Sequence, residues 1–292
     1  MQPFISVPSL KNQSLKDLTT WRIGGYSTEV FFPATIEEIQ RIVVHYRMLD
    51  RPLSVMGYGS NLLIDDRGFD GGIIVLKKNF CKHTLDHTDL LVLEAGFACP
   101  KLARLAWTMG FKNLAFLSGI PGSIGGAIQM NAGAHHHAIM DYVKKVEMID
   151  TYGNIHLFDR SVIEASYRQT HFPIKGIVTR AWIALEQEGL LSLTEVLAHR
   201  SRTQPLAAWS CGSVFKNPHA TISAGWLIEQ VGLKGFVYNE LEISVKHANF
   251  MLNTGNASSQ DVLTLTRMIQ QRVYLLTGYI LQPEYQTLGS CF

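Results

Sequence analysis

The sequence predicts an α+β chain with an N-terminal unit followed by a smaller C-terminal one. Apolar runs of strand length alternate with amphipathic helical stripes through the first half, and the pattern shifts past Gln187-Glu188-Gly189. The 292 residues, 47% hydrophobic and 17% charged, suffice for two or three modest domains with a sizeable core.

The elements follow in order. Thr35 opens a helix, with Glu38 completing a capping-box pattern; Ile36, Ile39, Ile42, Val43 and Tyr46 then recur at helical spacing. Val55 and Met56 end a short apolar piece that runs into a glycine loop. Ile73 to Leu76 and Leu90 to Ala95 read as buried strands. Pro100 marks a helix start, with Leu102, Leu105, Ala106 and Met109 as its inner face. Val143 to Asp150, the turn Tyr152-Gly153-Asn154 and Ile155 to Phe158 read as strand, turn and strand. Ile177 to Leu185 is a further strand. Beyond the shift come a helix from about Ser192 to Arg202 and a strand from Ala248 to Leu252. Last is a long helix after Ser258 with Val262, Leu265, Ile269, Val273 and Leu276 as its stripe. The N-terminal unit divides into two lobes near residue 77.

A net charge of +2 gives no electrostatic footprint for nucleic acid, and no apolar run reaches membrane-spanning length. The start Met1-Gln2-Pro3-Phe4 lacks the basic and apolar regions of a signal peptide. Cys81, Cys99, Cys211 and Cys291 are scattered, as expected of free thiols in a reducing compartment. A cytoplasmic monomer, with neither a nucleic-acid nor a membrane partner, is therefore expected.

Two loops are dense in glycine. One is Gly57-Tyr58-Gly59-Ser60-Asn61; the other runs from Gly119-Ile120-Pro121-Gly122-Ser123-Ile124-Gly125-Gly126 to Met130-Asn131-Ala132-Gly133. Glycines that reach positive φ expose successive backbone N–H groups, which can wrap a pyrophosphate. Neither loop is followed by Gly-Lys-Ser/Thr, and Leu62 stands where the dinucleotide fingerprint needs its third glycine. Three polar clusters complete the pattern: Ser166-Tyr167-Arg168, Cys211-Gly212-Ser213-Val214-Phe215-Lys216-Asn217-Pro218, and Gln282-Pro283-Glu284. Alone, Ser213 reads as a turn serine, Arg168 as a surface ion-pair partner and Glu284 as a solvated carboxylate. Trp21 and Trp226 read as core aromatics. His135-His136-His137 suggests a metal clip, but adjacent residues rarely converge on one ion, so no metal is expected.

Taken in order, these motifs resemble the UDP-N-acetylenolpyruvoylglucosamine reductases of bacterial wall synthesis. The resemblance runs from about Thr20 to Gly289. It includes Thr20-Trp21-Arg22-Ile23-Gly24-Gly25, both glycine loops and the three polar clusters. It also takes in Ala224-Gly225-Trp226-Leu227-Ile228-Glu229-Gln230 and Lys246-His247-Ala248-Asn249-Phe250. The chain is similar to the shorter subtype, which lacks an inserted tyrosine-bearing loop.

The resemblance implies a two-lobed FAD-binding module of the vanillyl-alcohol-oxidase type, in lobes 1–76 and 77–188, and a UDP-sugar domain at 189–292. It implies FAD held through Met56, Gly57, Gly59, Ser60, Asn61, Pro121, Gly122, Ser123, Gly125, Gly126 and Asn131, with NADPH as co-substrate. It also implies Ser213 as proton donor to carbon, with Arg168 and Glu284 steadying an enolate. Lys216 and Asn217, and further out Arg202, Lys234 and His247, are expected to bind the UDP-sugar. The implied role is peptidoglycan synthesis, and with it cell shape and division. Four positions depart from the family pattern. The histidines replace Tyr-Gly, Asn239-Glu240 stands near a usual Gly-Gly pair, Gln282 replaces Glu, and Trp209 is bulky for its place. Two other readings stay open: a flavin oxidase of the same fold, and a nucleotide-sugar-binding protein without catalysis.

Overall fold

The computed structural model describes residues 7–189 and 192–289, so Cys291 lies outside the described residues. The chain forms two compact units. The first comprises residues 1–11, 28–58 and 71–199; the second comprises residues 12–27, 59–70 and 200–292. Packing thus changes hands at His199/Arg200, within the Leu193–Thr203 helix, later than the composition shift suggests. The Gly57–Asn61 loop is split: Gly57 and Tyr58 pack in the first unit, Gly59, Ser60 and Asn61 in the second.

The first unit is built on a five-stranded antiparallel sheet. Its strands lie in the order Ile155–Asp159, Val143–Asp150, Gly176–Ile183, Leu91–Glu94 and His83–Leu85. Nearby, Leu53–Met56 runs parallel to residues Gly72 to Val75. The Ile36–Met48 helix starts as expected, Thr35 Oγ1 accepting the Glu38 N–H at 3.2 Å. The Glu38 carboxylate, however, reaches past the cap to the Ala34 N–H (2.6 Å). The Cys99–Thr108 helix has Pro100 in its first turn and buries Cys99, Leu102, Ala103 and Ala106. Met109 is its C-cap and is exposed, so the apolar stripe ends one residue sooner than the periodicity predicts. These faces and the sheet share one core around Phe31, Phe80, Phe116 and Ile149.

Two short elements matter for function. A six-residue helix, Ile124–Gln129, carries Gly125 and Gly126, with Ser123 as its N-cap. A hairpin joins Glu164–Ser166 to Gln169–His171 through the two-residue turn Tyr167-Arg168.

In the second unit, Trp21, Leu63, Phe215, Leu227 and Ile269 share a separate core. Its sheet pieces are Val237–Tyr238, Leu241–Ile243 and Met251–Asn253, all antiparallel, and Leu62–Ile64 parallel to Gln286–Leu288. The Ser259–Thr277 helix has a full capping box between Ser258 and Asp261, and Gly278 ends it in the left-handed conformation (φ 76°). Val262, Leu265, Ile269 and Val273 are buried, but Leu276 is 63% exposed. Trp21 is a core aromatic whose Nε1–H donates to the Met251 carbonyl (2.9 Å). Trp226 is not: the Ala224–Gln230 helix buries Ala224, Leu227 and Ile228 and leaves Trp226 54% exposed.

Candidate active site

In the first unit the glycine loops need their glycines for close approach. A Cβ on Gly57 would sit 2.1 Å from Ser123 Oγ, so Met56-Gly57 and the Gly122-Ser123 turn lie against each other. Gly122 has φ 135°, which L side chains avoid. A Cβ on Gly125 would sit 2.8 Å from the Ala95 Cβ, and the Gly125 N–H donates to the Ala95 carbonyl (2.8 Å). The Gly126 N–H donates to Ser123 Oγ (3.3 Å). Gly125 and Gly126 therefore seat the loop on the fold, and Gly57 packs against Ser123 in the same way. Ser118, just before Gly119, is buried, and its hydroxyl has no hydrogen-bond partner among the described residues.

The second unit repeats this at Gly59 (φ 63°). Its carbonyl accepts the Thr20 N–H (3.3 Å), and the buried Thr20 hydroxyl also has no partner among the described residues. Asn61 links to the C-terminal stretch: its Nδ2 donates to the Glu284 carbonyl (3.1 Å), and its own main-chain carbonyl accepts the Gln286 N–H (2.8 Å). Each unit taken by itself thus offers a glycine at positive φ and an orphaned buried hydroxyl, donors and space that fit an oxygen-rich anionic group such as a phosphate. Neither Thr20 nor Ser118 was singled out from the sequence. Thr20 opens a recognisable motif; Ser118 carries no such signal.

Arg168 occupies the second central position of its hairpin turn with φ 57°. A non-glycine residue there costs about 1–2 kcal/mol. Its Nη2 donates to the Gly133 carbonyl (3.0 Å), and its guanidinium lies 5.0 Å from the Tyr167 ring centroid. Asn131, at the end of the second glycine loop, donates from Nδ2 to the Ser166 carbonyl (2.9 Å) and accepts the Met140 N–H at Oδ1 (3.3 Å).

His135 and His136 both have positive φ (54° and 66°) and join Gly133–Ala134 to His137–Ala138, the dihedral signs of a type I′ turn. Two of the three rings have separate neighbours. His137 stacks on Phe116 and meets the Tyr142 hydroxyl at 2.8 Å, while His135 packs edge-on to His199. Burial, then His199, holds the His135 imidazole below its ordinary pKa.

Ser213 and Glu284 come together in the second unit. The Glu284 N–H donates to the Val214 carbonyl (2.8 Å) and the Lys216 N–H to the Gln282 carbonyl (2.9 Å), placing Phe215 opposite Pro283. On its other side the same segment meets Asn249-Phe250: Ser213 bridges Phe250, and the Val214 N–H donates to the Asn249 carbonyl (2.9 Å). The buried Asn249 carboxamide takes both backbone groups of Phe215, accepting its N–H and donating to its carbonyl, each at 2.9 Å. Sequence reasoning gave Asn249 no role; it lay unused inside the Lys246–Phe250 motif. Gly212 precedes the serine with φ 84°.

Cys211 is buried, and its thiol is pushed well up by burial and then by the Glu284 carboxylate, so it packs rather than reacts.

The expected substrate-binding groups are more dispersed. Lys216 and Asn217 adjoin the serine segment, and Asn217 Oδ1 accepts the Ala224 N–H (3.0 Å). Lys234 forms an ion pair with Glu229 at 2.9 Å. Arg202 is exposed in the last turn of its helix. His247 is half-buried, and its Nδ1 accepts the Asn249 N–H (3.2 Å). A separate groove of about 460 Å³ in the first unit, edged by Arg47, Arg51 and Asp150, is lined by none of these residues.

Known proteins match the chain along nearly its whole length. Residues 28–159 match the family described as FAD binding domain, and residues 204–288 match the C-terminal domain of UDP-N-acetylenolpyruvoylglucosamine reductase. A protein of that name from Heliobacterium modesticaldum is 37% identical, over 96% of this chain and 91% of its own length. Another, from Prochlorococcus marinus, is also 37% identical, over 97% and 99%. The crystal structure of UDP-N-acetylenolpyruvylglucosamine reductase from Thermus caldophilus superposes with a TM-score of 0.82 at 34% identity, covering 98% of this chain and 100% of that one.

Proposed function

This chain belongs to the UDP-N-acetylenolpyruvoylglucosamine reductase family and is an FAD-dependent oxidoreductase, and from that premise we propose its reaction and the residues that carry it. It reduces the enolpyruvyl ether of UDP-N-acetylenolpyruvoylglucosamine to UDP-N-acetylmuramate, with NADPH as electron source, and works as a cytoplasmic monomer. The functional division follows residues 1–76 and 77–188 for FAD and 189–292 for the sugar nucleotide. Residues 12–27 and 59–70 of that FAD stretch, Gly59–Asn61 among them, pack in the second unit. Main-chain groups of Met56, Gly57, Gly59, Pro121 and Gly122, with the hydroxyls of Ser60 and Ser123, would hold the cofactor. When bound, FAD supplies hydride storage between NADPH and the vinyl carbon of the substrate.

The remaining chemistry falls to side chains. Hydride addition leaves negative charge on the carbon beside the carboxylate. The Arg168 guanidinium grips that carboxylate with two parallel hydrogen bonds and offsets the charge. The Ser213 hydroxyl gives its proton to the carbanionic carbon, so hydride and proton together saturate the double bond. The serine is reprotonated through Lys216 or a water chain. Glu284 assists in its protonated form, or through an intervening water or cation, since a bare carboxylate would repel the developing charge. Lys216 and Asn217, with Arg202, Lys234 and His247, bind the UDP-sugar.

One observation carries this reading. Ser213 and Glu284, distant in sequence, sit on directly hydrogen-bonded segments, joined at 2.8 Å between the Glu284 N–H and the Val214 carbonyl. The experiment is anaerobic. NADPH should bleach the flavin band near ~450 nm, and UDP-N-acetylenolpyruvoylglucosamine should then restore it with loss of the vinyl group. A band that returns only on admitting air would favour a flavin oxidase. A colourless protein that refuses FAD would remove the reading altogether.

A further inference from the structure

The second glycine loop ends in Asn131, and the structure gives its side chain a task other than meeting the cofactor. Asn131 is only 9% exposed. Its Nδ2 donates to the carbonyl of Ser166, the residue that enters the Tyr167-Arg168 turn, and its Oδ1 accepts the Met140 N–H. Two further bonds join the same two stretches of chain. Arg168 Nη2 donates to the Gly133 carbonyl at 3.0 Å, and Thr170 Oγ1 donates to the Ile128 carbonyl at 2.6 Å. The turn is thus held at its entry, at its strained residue and at its exit.

A left-handed arginine persists only where the surroundings over-determine it. Of the three contacts, the one from Asn131 is a buried side chain dedicated to the backbone of the turn. Its Nδ2 bonds the turn, and its Oδ1 anchors the carboxamide on the Met140 N–H.

We propose that Asn131 is a positioning residue for Arg168, fixing the turn so that the guanidinium stays where the substrate carboxylate needs it. This rests on the role of Arg168 given above. Without the Nδ2 donor the turn loses the hold at its entry and keeps only those at Arg168 and Thr170, and a displacement of about 1 Å at a reacting group costs about 100-fold in rate.

Asn131→Asp is the sharpest variant. It keeps an acceptor for Met140 and a residue type that tolerates φ 39°, but sets a carboxylate against the Ser166 carbonyl. Asn131→Gly serves if that variant does not fold. The holoenzyme should retain FAD and bleach with NADPH at the wild-type rate. Return of the band on adding UDP-N-acetylenolpyruvoylglucosamine should slow by about 10- to 100-fold even at saturating substrate. In an Arg168→Ala background the same change should slow it no further. Amide exchange across residues 164–171, followed by mass spectrometry, should quicken.

Loss of FAD, or equal slowing of the NADPH step, would make Asn131 a cofactor contact and overturn the proposal. Unchanged exchange, or slowing that multiplies with Arg168→Ala, would also overturn it. If Arg168→Ala alone restores the band at the wild-type rate, the role of Arg168 fails and the proposal falls with it. If Arg168→Ala is slow and both Asn131 variants are normal, the proposal alone fails.

Discussion

The Arg168 turn of the first unit and the Ser213 segment of the second solve the same problem differently. Each must hold a short polar stretch of chain in one conformation, and each uses a buried asparagine for it, Asn131 in one and Asn249 in the other. Around Ser213 the positive φ falls on Gly212, not on the serine. In the hairpin the positive φ falls on Arg168 itself. The Ser213 segment also has neighbours on both sides, through Asn249-Phe250 and Gln282–Glu284. The proposed proton donor is built into paired backbone. The cation proposed to grip the carboxylate sits at a turn tip, where the strain is concentrated.

Substitutions can break that contrast. The largest effect expected is Arg168→Asn. Asparagine accepts left-handed φ, so thermal unfolding should show stability within about 1 kcal/mol of wild type, while substrate-driven flavin reoxidation falls about 100- to 1,000-fold. A loss of several kcal/mol would mean that the arginine is structural.

Asn249→Ala should behave in the opposite way. It leaves the buried Phe215 N–H and carbonyl without partners, and denaturant unfolding should show a loss of about 2–4 kcal/mol. Gly212→Ala isolates the backbone term, because a Cβ there would meet nothing within 4 Å. A cost of about 1–2 kcal/mol is expected from the φ of 84° alone.

The smallest effect is on pH. Burial, with Lys234 adding to it, holds the His247 imidazole below its ordinary pKa, against its own backbone hydrogen bond and Glu229. The folded protein therefore binds fewer protons here than the unfolded chain. Stability should be full above about pH 6.5 and decline as pH falls toward the lower folded value. Protonating Nδ1 would also remove the acceptor for the Asn249 N–H. His247→Gln should flatten that acid limb in urea titrations at pH 5 to 7; an unchanged limb would remove His247 as its cause.

What the sequence made legible was local. The cap at Thr35 was readable because the side chain and the N–H it caps lie three residues apart. Both ends of the catalytic argument, Arg168 and the Gly212–Pro218 stretch, announced themselves as motifs. Periodicity misled at helix ends: Met109 and Leu276 continue their stripes but project past the core they would fill. The expectation that a large aromatic is a core residue failed at Trp226, where a seven-residue helix buries only one side. Long-range pairing stayed hidden. Nothing near Asn249 says that it will bind Phe215, nor does anything near Asn61 say that its carboxamide will meet the Glu284 carbonyl. The two glycine loops looked equivalent, yet Gly125 is consumed by packing on Ala95, and the first loop is divided between units.

The most direct test of the account uses Ser213→Ala, loaded with FAD and reduced by NADPH without oxygen. Bleaching should proceed at the wild-type rate. Adding UDP-N-acetylenolpyruvoylglucosamine should then restore the flavin band about 100- to 10,000-fold more slowly than in the wild-type protein. Restoration at the wild-type rate, with the vinyl group consumed, would show that the proton comes from elsewhere and would contradict the role assigned to Ser213.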